Sequence, residues 1–239
     1  MKYKTLLAAS FILFFFGINV SYSKSLCREF NFITKDKILN LFLKNNYNPD
    51  ELCSFDTPLI HKAIEETRFA SIQKENILIL IGLLKSGANL EAKDGDGHTA
   101  LSFAIKNNNK VAVGLLLLYG ANPNALVEQD NQSILHFVIK SGVIFHKHLF
   151  KSLLVAGADI EIKDKRGMTP LLFAVARGNS SAVFNLLKHG ADIHAQDNKG
   201  NTALKIVKIM LKKNPNTQYR SIEKILLKYK QKNNAANKQ

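Results

Sequence analysis

One tripeptide recurs along this chain at nearly constant intervals, and it restricts the folds open to the sequence more than any other feature. Gly-Ala-Asn or Gly-Ala-Asp begins at Gly87, Gly120, Gly157 and Gly190, with spacings of 33, 37 and 33 residues. A second signal recurs in step with it: Thr57-Pro58-Leu59, Thr99-Ala100-Leu101, Ser133-Ile134-Leu135, Thr169-Pro170-Leu171 and Thr202-Ala203-Leu204. The unit from Asp164 to Ala195 shows what the two signals do. Thr169 can cap a helix, because its hydroxyl accepts a bond from an unpaired first-turn amide, and Pro170 suits the first helical position, where no amide partner is needed. Gly178 stops that helix, and Gly190 follows a second one, where a left-handed residue lets the chain reverse. Each unit therefore reads as turn, helix, turn, helix, exposed loop. Both helices are shorter than the roughly 12 to 15 residues at which an isolated helix becomes stable. They must lean on neighbours, so the predicted fold is all-α: a solenoid of stacked helix pairs joined by short β-hairpin or turn loops.

At these residues the chain resembles the ankyrin repeat family, whose unit is about 33 residues with a Thr-Pro-Leu-His-x-Ala signature. The resemblance runs from about residue 30 to about residue 230. Within it only His136 falls at the family's histidine position; Ser102, Leu172 and Lys205 stand there in other units, and His61 is one residue late. In the family that histidine helps tie neighbouring repeats. Spacing from cap to glycine is 21 for Thr99 to Gly120 and for Thr169 to Gly190, but 24 for Ser133 to Gly157 and 30 for Thr57 to Gly87. The third unit thus carries a small insertion near Val143-Ile144-Phe145 and the first a longer one near Thr67 to Glu75.

The organisation expected along the chain follows. Residues 1–23 carry Lys2 and Lys4, an apolar run from Leu6 to Val20 and small Ser21 and Ser23, the pattern of a secretory signal cleaved after Ser23. An uncleaved anchor and a lipid-attached Cys27 are the alternatives; the run is short of the roughly 20 residues of a spanning helix. The protein is then secreted or periplasmic. Residues 24–53 read as an N-terminal capping half-repeat, with Asn46 in the glycine position. Repeats follow at 54–91, 95–127, 129–162 and 165–197. A C-terminal capping repeat at 198–230 holds helices near Thr202 to Lys212 and Ser221 to Lys230, and 231–239 is a disordered basic tail. Cys27 and Cys53 are either bridged by a disulfide, as an oxidising compartment allows, or a pair of buried thiols.

Charge is uneven. The chain carries Lys+Arg 33 against Asp+Glu 19, a net +14, and residues 205–239 alone hold nine lysines and Arg220 against Glu223. The repeats are close to neutral. A basic end of this kind can attract anionic polymers or membrane surfaces. Nucleic acid is not the expected partner, since only Tyr219 and Tyr229 interleave with those lysines. Monomeric behaviour is expected.

No catalytic constellation is visible, so an enzyme is not expected, nor a cofactor or metal. Asp94-Gly95-Asp96-Gly97 resembles the start of a calcium loop, but the register that uses both aspartates puts Ala92 and Phe103 where ligands belong; a turn between repeats explains it better. His146 and His148 are two apart and would point to different sides of a helix. What the resemblance implies is recognition: the turn tips and the exposed side of each first helix line a concave face that contacts a protein partner. The corresponding positions are Lys93, Asp94 and Asp96; Glu128, Gln129 and Asn131; Lys165, Arg166 and Met168; and Asn198, Lys199 and Asn201. Phe103, Phe137 and Phe173 share one register and form a ladder, packed either in the core or in the groove.

Overall fold

The computed structural model describes residue 50 and residues 52–53, 57–67, 73–127, 131–141 and 147–236. The expected leader, most of the 24–53 half-repeat, Cys27 and with it the Cys27–Cys53 pairing therefore lie outside the described residues, as do Glu128, Gln129 and the Val143-Ile144-Phe145 insertion. Ten helices are present among the described residues, as five consecutive pairs: α1 Leu59–Glu66 with α2 Gln73–Lys85, α3 Ala100–Lys106 with α4 Lys110–Leu118, α5 Ile134–Lys140 with α6 Lys147–Val155, α7 Pro170–Ala176 with α8 Ser180–Lys188, and α9 Ala203–Lys213 with α10 Thr217–Ala236. Two short antiparallel pairs precede first helices: β1 Leu52–Cys53 with β2 Thr57–Pro58, and β3 Leu126–Val127 with β4 Gln132–Ser133. An isolated bridge joins Lys93 and Thr99 ahead of the second unit, between these two pairs along the chain. This is the all-α stack of helix pairs that the repeats predict.

Each pair is punctuated by the residues that the sequence singled out. Thr99, Thr169 and Thr202 each accept the backbone amide three residues on, starting α3, α7 and α9. Asn109 and Asn179 do the same for α4 and α8. The residue before each of those asparagines is left-handed, Asn108 at φ 52° and Gly178 at φ 70°, a conformation open to asparagine and glycine at low cost. First helices are nearly all apolar and buried, as in α7, where every residue from Pro170 to Val175 is covered. They form the inner layer, in contact with first helices of both neighbouring units. Second helices are covered on one side: Ala182, Val183, Leu186 and Leu187 of α8 are buried while Phe184 stays 46% exposed.

The loops after each second helix form their own ladder. Asn89, Asn122, Asp159 and Asp192 each turn a side-chain oxygen onto the amide two residues on, which is why Gly-Ala is followed by Asn or Asp. Their own amides are taken by a side chain of the preceding unit: Asp50 for Asn89, Glu91 for Asn122, Asn124 for Asp159 and Glu161 for Asp192. The acceptors Glu91, Asn124 and Glu161 lie four residues after their unit's glycine. Asp50 lies four after Asn46, so the ladder continues in the register that assigns Asn46 to the glycine position.

Three expectations are corrected. In the first unit the N-cap is Pro58, not Thr57; Thr57 pairs with Cys53 in the hairpin. His61 therefore stands three residues after its cap, as His136 does after Ser133, and is not one residue late. The extra length of the first unit is also not confined to Thr67–Glu75. The interval between α1 and α2 is three residues longer than that between α3 and α4, and α2 itself runs 13 residues against 9 for α4, so part of the extra chain is helix. In the cap, α10 continues to Ala236, six residues past the expected end at Lys230; the stretch holds no Gly or Pro to stop it, and Lys, Gln and Ala favour helix.

The phenylalanine ladder lies between units. Phe137 and Phe173 are buried and Phe103 partly so. Each ring meets a histidine of the unit before it: Phe103 with His61, Phe137 with His98 and Phe173 with His136, centroids 5.2 to 5.4 Å apart. The His61 and His136 contacts are edge-to-face and the His98 contact is tilted; such ring contacts add to burial, and they place the ladder at the junctions of the core.

Candidate functional site

The hairpin side of the stack is built by one repeated device. An aspartate opens each described turn, and its Oδ1 accepts two backbone amides: Asp94 from Asp96 and His98, Asp164 from Arg166 and Met168, Asp197 from Lys199 and Asn201. Three residues after each aspartate the chain is left-handed, at Gly97, Gly167 and Gly200, and Asn131 is left-handed as well in the third unit. At Gly167 glycine is required twice over, since φ is +71° and a Cβ would meet Asn198 Oδ1 at 2.2 Å and its backbone nitrogen at 2.8 Å. That close approach is the seam between two hairpins: the Asn198 amide donates to the Arg166 carbonyl and its side-chain NH₂ to the Lys165 carbonyl. Lys93 and Lys163 make similar seams, donating to the carbonyls of Leu126 and Gln196 in the following unit. Burial acts to raise the Asp197 carboxyl, but the bonds from Asn201 and Lys199 outweigh it and hold the group below the usual carboxylate range.

The ends of the first helices come to the same side. Lys106, the last residue of α3, reaches Asp96 at the tip of its hairpin, Nζ to Oδ2 3.3 Å, and His98 Nε2 at 3.1 Å. In the fourth unit Arg166 from the tip and Arg177 from the end of α7 both lie against the Phe173 ring, 5.7 and 5.1 Å from its centroid. Arg166 also gives two guanidinium N–H groups to Asp164 Oδ2. Tip and helix end are thus two edges of one exposed polar face over an apolar layer.

Beneath that face the histidines join units. His136 Nε2 donates to the Met168 carbonyl and its Nδ1 accepts from the Ser133 hydroxyl, 2.9 Å each. His61 Nε2 donates to the His98 carbonyl at 2.8 Å. Burial pushes both imidazoles below their ordinary value, with the backbone bonds opposing.

The twelve candidate residues divide. Lys93, Asp96, Lys165, Arg166, Asn198 and Lys199 are exposed on the tips, and Asn131 is exposed in its left-handed turn position. Asp94 is half-buried with its carboxylate committed to the turn, and Asn201 is half-buried with its amide on Asp197 Oδ2. Met168 is buried, at 7%, and is corrected to a core position whose carbonyl receives His136. Glu128 and Gln129 lie outside the described residues. The sequence reading missed the helix-end residues Lys106, Asn107 and Arg177, although their signal was present: each sits seven or eight residues after its cap, just before the turn into the second helix.

A stack of helix pairs joined by edge turns and bonded unit to unit is the architecture of a repeat-type binding scaffold. The family model for ankyrin repeats (3 copies) matches residues 135–237, and the single ankyrin repeat model matches residues 96–126. The chain belongs to the ankyrin repeat family. It is 33% identical over 129 residues to an ankyrin repeat protein of fowlpox virus, covering 52% of this chain and 35% of that one. It is 38% identical over 96 residues to the B-cell lymphoma 3 protein homolog of Mus musculus, covering 40% and 20%. An ankyrin repeat-containing protein of Treponema pallidum is 28% identical over 129 residues, covering 54% and 42%. The matched region thus spans less than half the length of these curated relatives. Ankyrin repeats are protein–protein interaction modules and are generally non-enzymatic.

Proposed function

We propose that this chain is a non-enzymatic module that binds a protein partner through the concave face made by the hairpin tips and the ends of the first helices. The observation that carries the reading is the shared side of Arg166, Phe173 and Arg177, where charged, exposed groups from two elements stand on a buried apolar layer. Rigid apolar support with exposed variable groups is what a recognition surface needs, because little ordering cost is left to meet on binding. The N-terminal apolar run supports a location outside the cytoplasm, in the envelope or beyond it, after cleavage following Ser23; N-terminal sequencing of the mature chain tests this, and an intact Met1 overturns it.

A second reading has its own support. Lys205, Lys208, Lys212, Lys213, Arg220, Lys224 and Lys228 are all exposed on α9 and α10 against half-buried Glu223, so the C-terminal cap would adhere electrostatically to an anionic polymer or membrane. One comparison separates the two. Captured partners from envelope and extracellular material are compared for wild type, for Lys165→Glu with Arg166→Glu, and for Lys205→Glu with Lys208→Glu and Lys212→Glu. The concave reading expects the first variant to lose capture, with helical signal and melting temperature nearly unchanged, and the second to keep it at high salt. Capture that survives the tip variant and disappears with the cap variant assigns binding to the basic end.

A further inference from the structure

The described hairpin tips of this face change sign along the stack, from acidic in the second unit to basic in the fourth and fifth. At the tip position three residues before the cap, the described residues are Asp96 in the second unit, Arg166 in the fourth and Lys199 in the fifth; at the helix-end positions stand Glu65 and Glu66 in the first, Lys106 in the second, Lys140 in the third and Arg177 in the fourth. In the first two units the helix-borne cations Lys62 and Lys106 are answered by carboxylates of the chain. Lys62 sits 3.1 Å from both Glu65 and Glu66, and Lys106 pairs with Asp96. The fourth unit differs. Among the described residues Asp164 is the one carboxylate paired with either of its two guanidiniums; it is buried, with Oδ1 filled by two amides and Oδ2 by Arg166. Arg177 has no carboxylate within 4 Å among the described residues, and its guanidinium is held in place by the Phe173 ring. Lys199, at the next tip, is likewise exposed with no ion pair among the described residues.

A guanidinium that is already positioned on an aromatic ring loses little freedom when it takes an anion, and its planar fork matches a carboxylate. We infer that the half of the groove around Arg166, Arg177 and Lys199 receives an acidic segment of the protein partner, with a carboxylate seated at Arg177. The inference rests on the concave-face reading and names the chemistry of what that face recognises. Polarity also fixes orientation: the acidic part of the partner lies over the fourth and fifth units and away from Glu65, Glu66 and Asp96, because like charges placed opposite one another disfavour the reversed arrangement.

The test uses the folded full chain and fluorescein-labelled peptides of equal length, one rich in Asp and Glu, one rich in Lys, with a single-stranded oligonucleotide as a generic polyanion, measured by fluorescence anisotropy at physiological salt. The acidic peptide binds wild type and the basic one does not. Arg177→Ala weakens the acidic peptide by about tenfold, the loss of one charge-assisted bond, and Arg177→Glu abolishes it, both with an unchanged circular dichroism spectrum; Lys205→Glu with Lys208→Glu leaves it unchanged. No binding of the acidic peptide, binding indifferent to Arg177, or binding lost only in the cap variant each overturns the inference. Oligonucleotide binding that also depends on Arg177 and exceeds the peptide's replaces the acidic protein with a nucleic acid. If the peptides fail while capture still depends on Lys165 and Arg166, the concave face stands and only its acidic specificity is wrong; if capture is also indifferent to those tips, both fall.

Discussion

A buried histidine at a junction is fully satisfied when both of its ring nitrogens are answered, and the two junction histidines differ in this respect. His136 receives the Ser133 hydroxyl on Nδ1; the equivalent cap in the first unit is Pro58, which has no hydroxyl, and His61 Nδ1 has no protein partner among the described residues. Both rings are fully buried and both titrate below the ordinary imidazole value of about 6.5. The sign follows. Above that value the ring is neutral whether the chain is folded or not, and stability is unaffected; as pH falls below it, the unfolded chain takes up protons that the folded one refuses, and stability declines. We expect the denaturant midpoint of wild type to drop between pH 7.5 and pH 5.5. His136→Ala lowers the unfolding free energy at both pH values by about 1–3 kcal/mol, through the unsatisfied partners it leaves, and shrinks the drop between them. An unchanged drop would show that His136 is not a source of the pH dependence. Of these residues the sequence showed His136, but not that His61 shares its register, because the Thr57-Pro58-Leu59 string imitates the helix-start signal one residue early.

At the scale of elements, helices of seven to nine residues persist because their apolar sides are shared with neighbours on two sides. Leu171, in the first turn of α7, is fully buried, and Leu171→Ala is expected to destabilise by about 2–5 kcal/mol, as large-to-small core changes do. Phe184 in α8 is a larger side chain, yet it is half in solvent, with Tyr229 as its ring partner at 6.4 Å; Phe184→Ala should cost less, roughly 1 kcal/mol or below. Urea denaturation of the two variants checks the order, and a larger loss for Phe184 would put the main burial on the second helices. Periodicity made the helices legible, since caps and glycines fall at fixed offsets. It did not show which positions of the tips are covered: Met168 stands in a row of polar residues, Gln132, His98 and Asn201, and only packing against the preceding unit makes it core.

For the whole molecule, each unit has its neighbours' surfaces as part of its own fold. The last pair closes the stack: α9 packs on α7, α10 on α8, and the Tyr219 hydroxyl donates to the Ala176 carbonyl beside Gly178. Truncation after Asp197 would uncover the apolar side of α7 and α8. Such a chain should lose stability well beyond the loss of its own helical content, with a lower urea midpoint and increased binding of a hydrophobic dye; retention of the full-length midpoint would mean that the cap does not support the fourth unit. The same linear build explains the distribution of charge. A solenoid exposes every unit, so the opposite signs of Asp96 and Arg166 remain far apart on one face and are not brought together.

The sequence by itself determined the repeat, the all-α pairing, the caps and the turns, because these depend on local backbone preferences that a residue carries wherever it is placed. Only the tertiary structure decided which cap governs the first unit, that Phe137, Phe173 and Met168 are core, and that Arg166 and Arg177 share one ring, because those outcomes depend on contact between units whose separation along the chain hides their proximity.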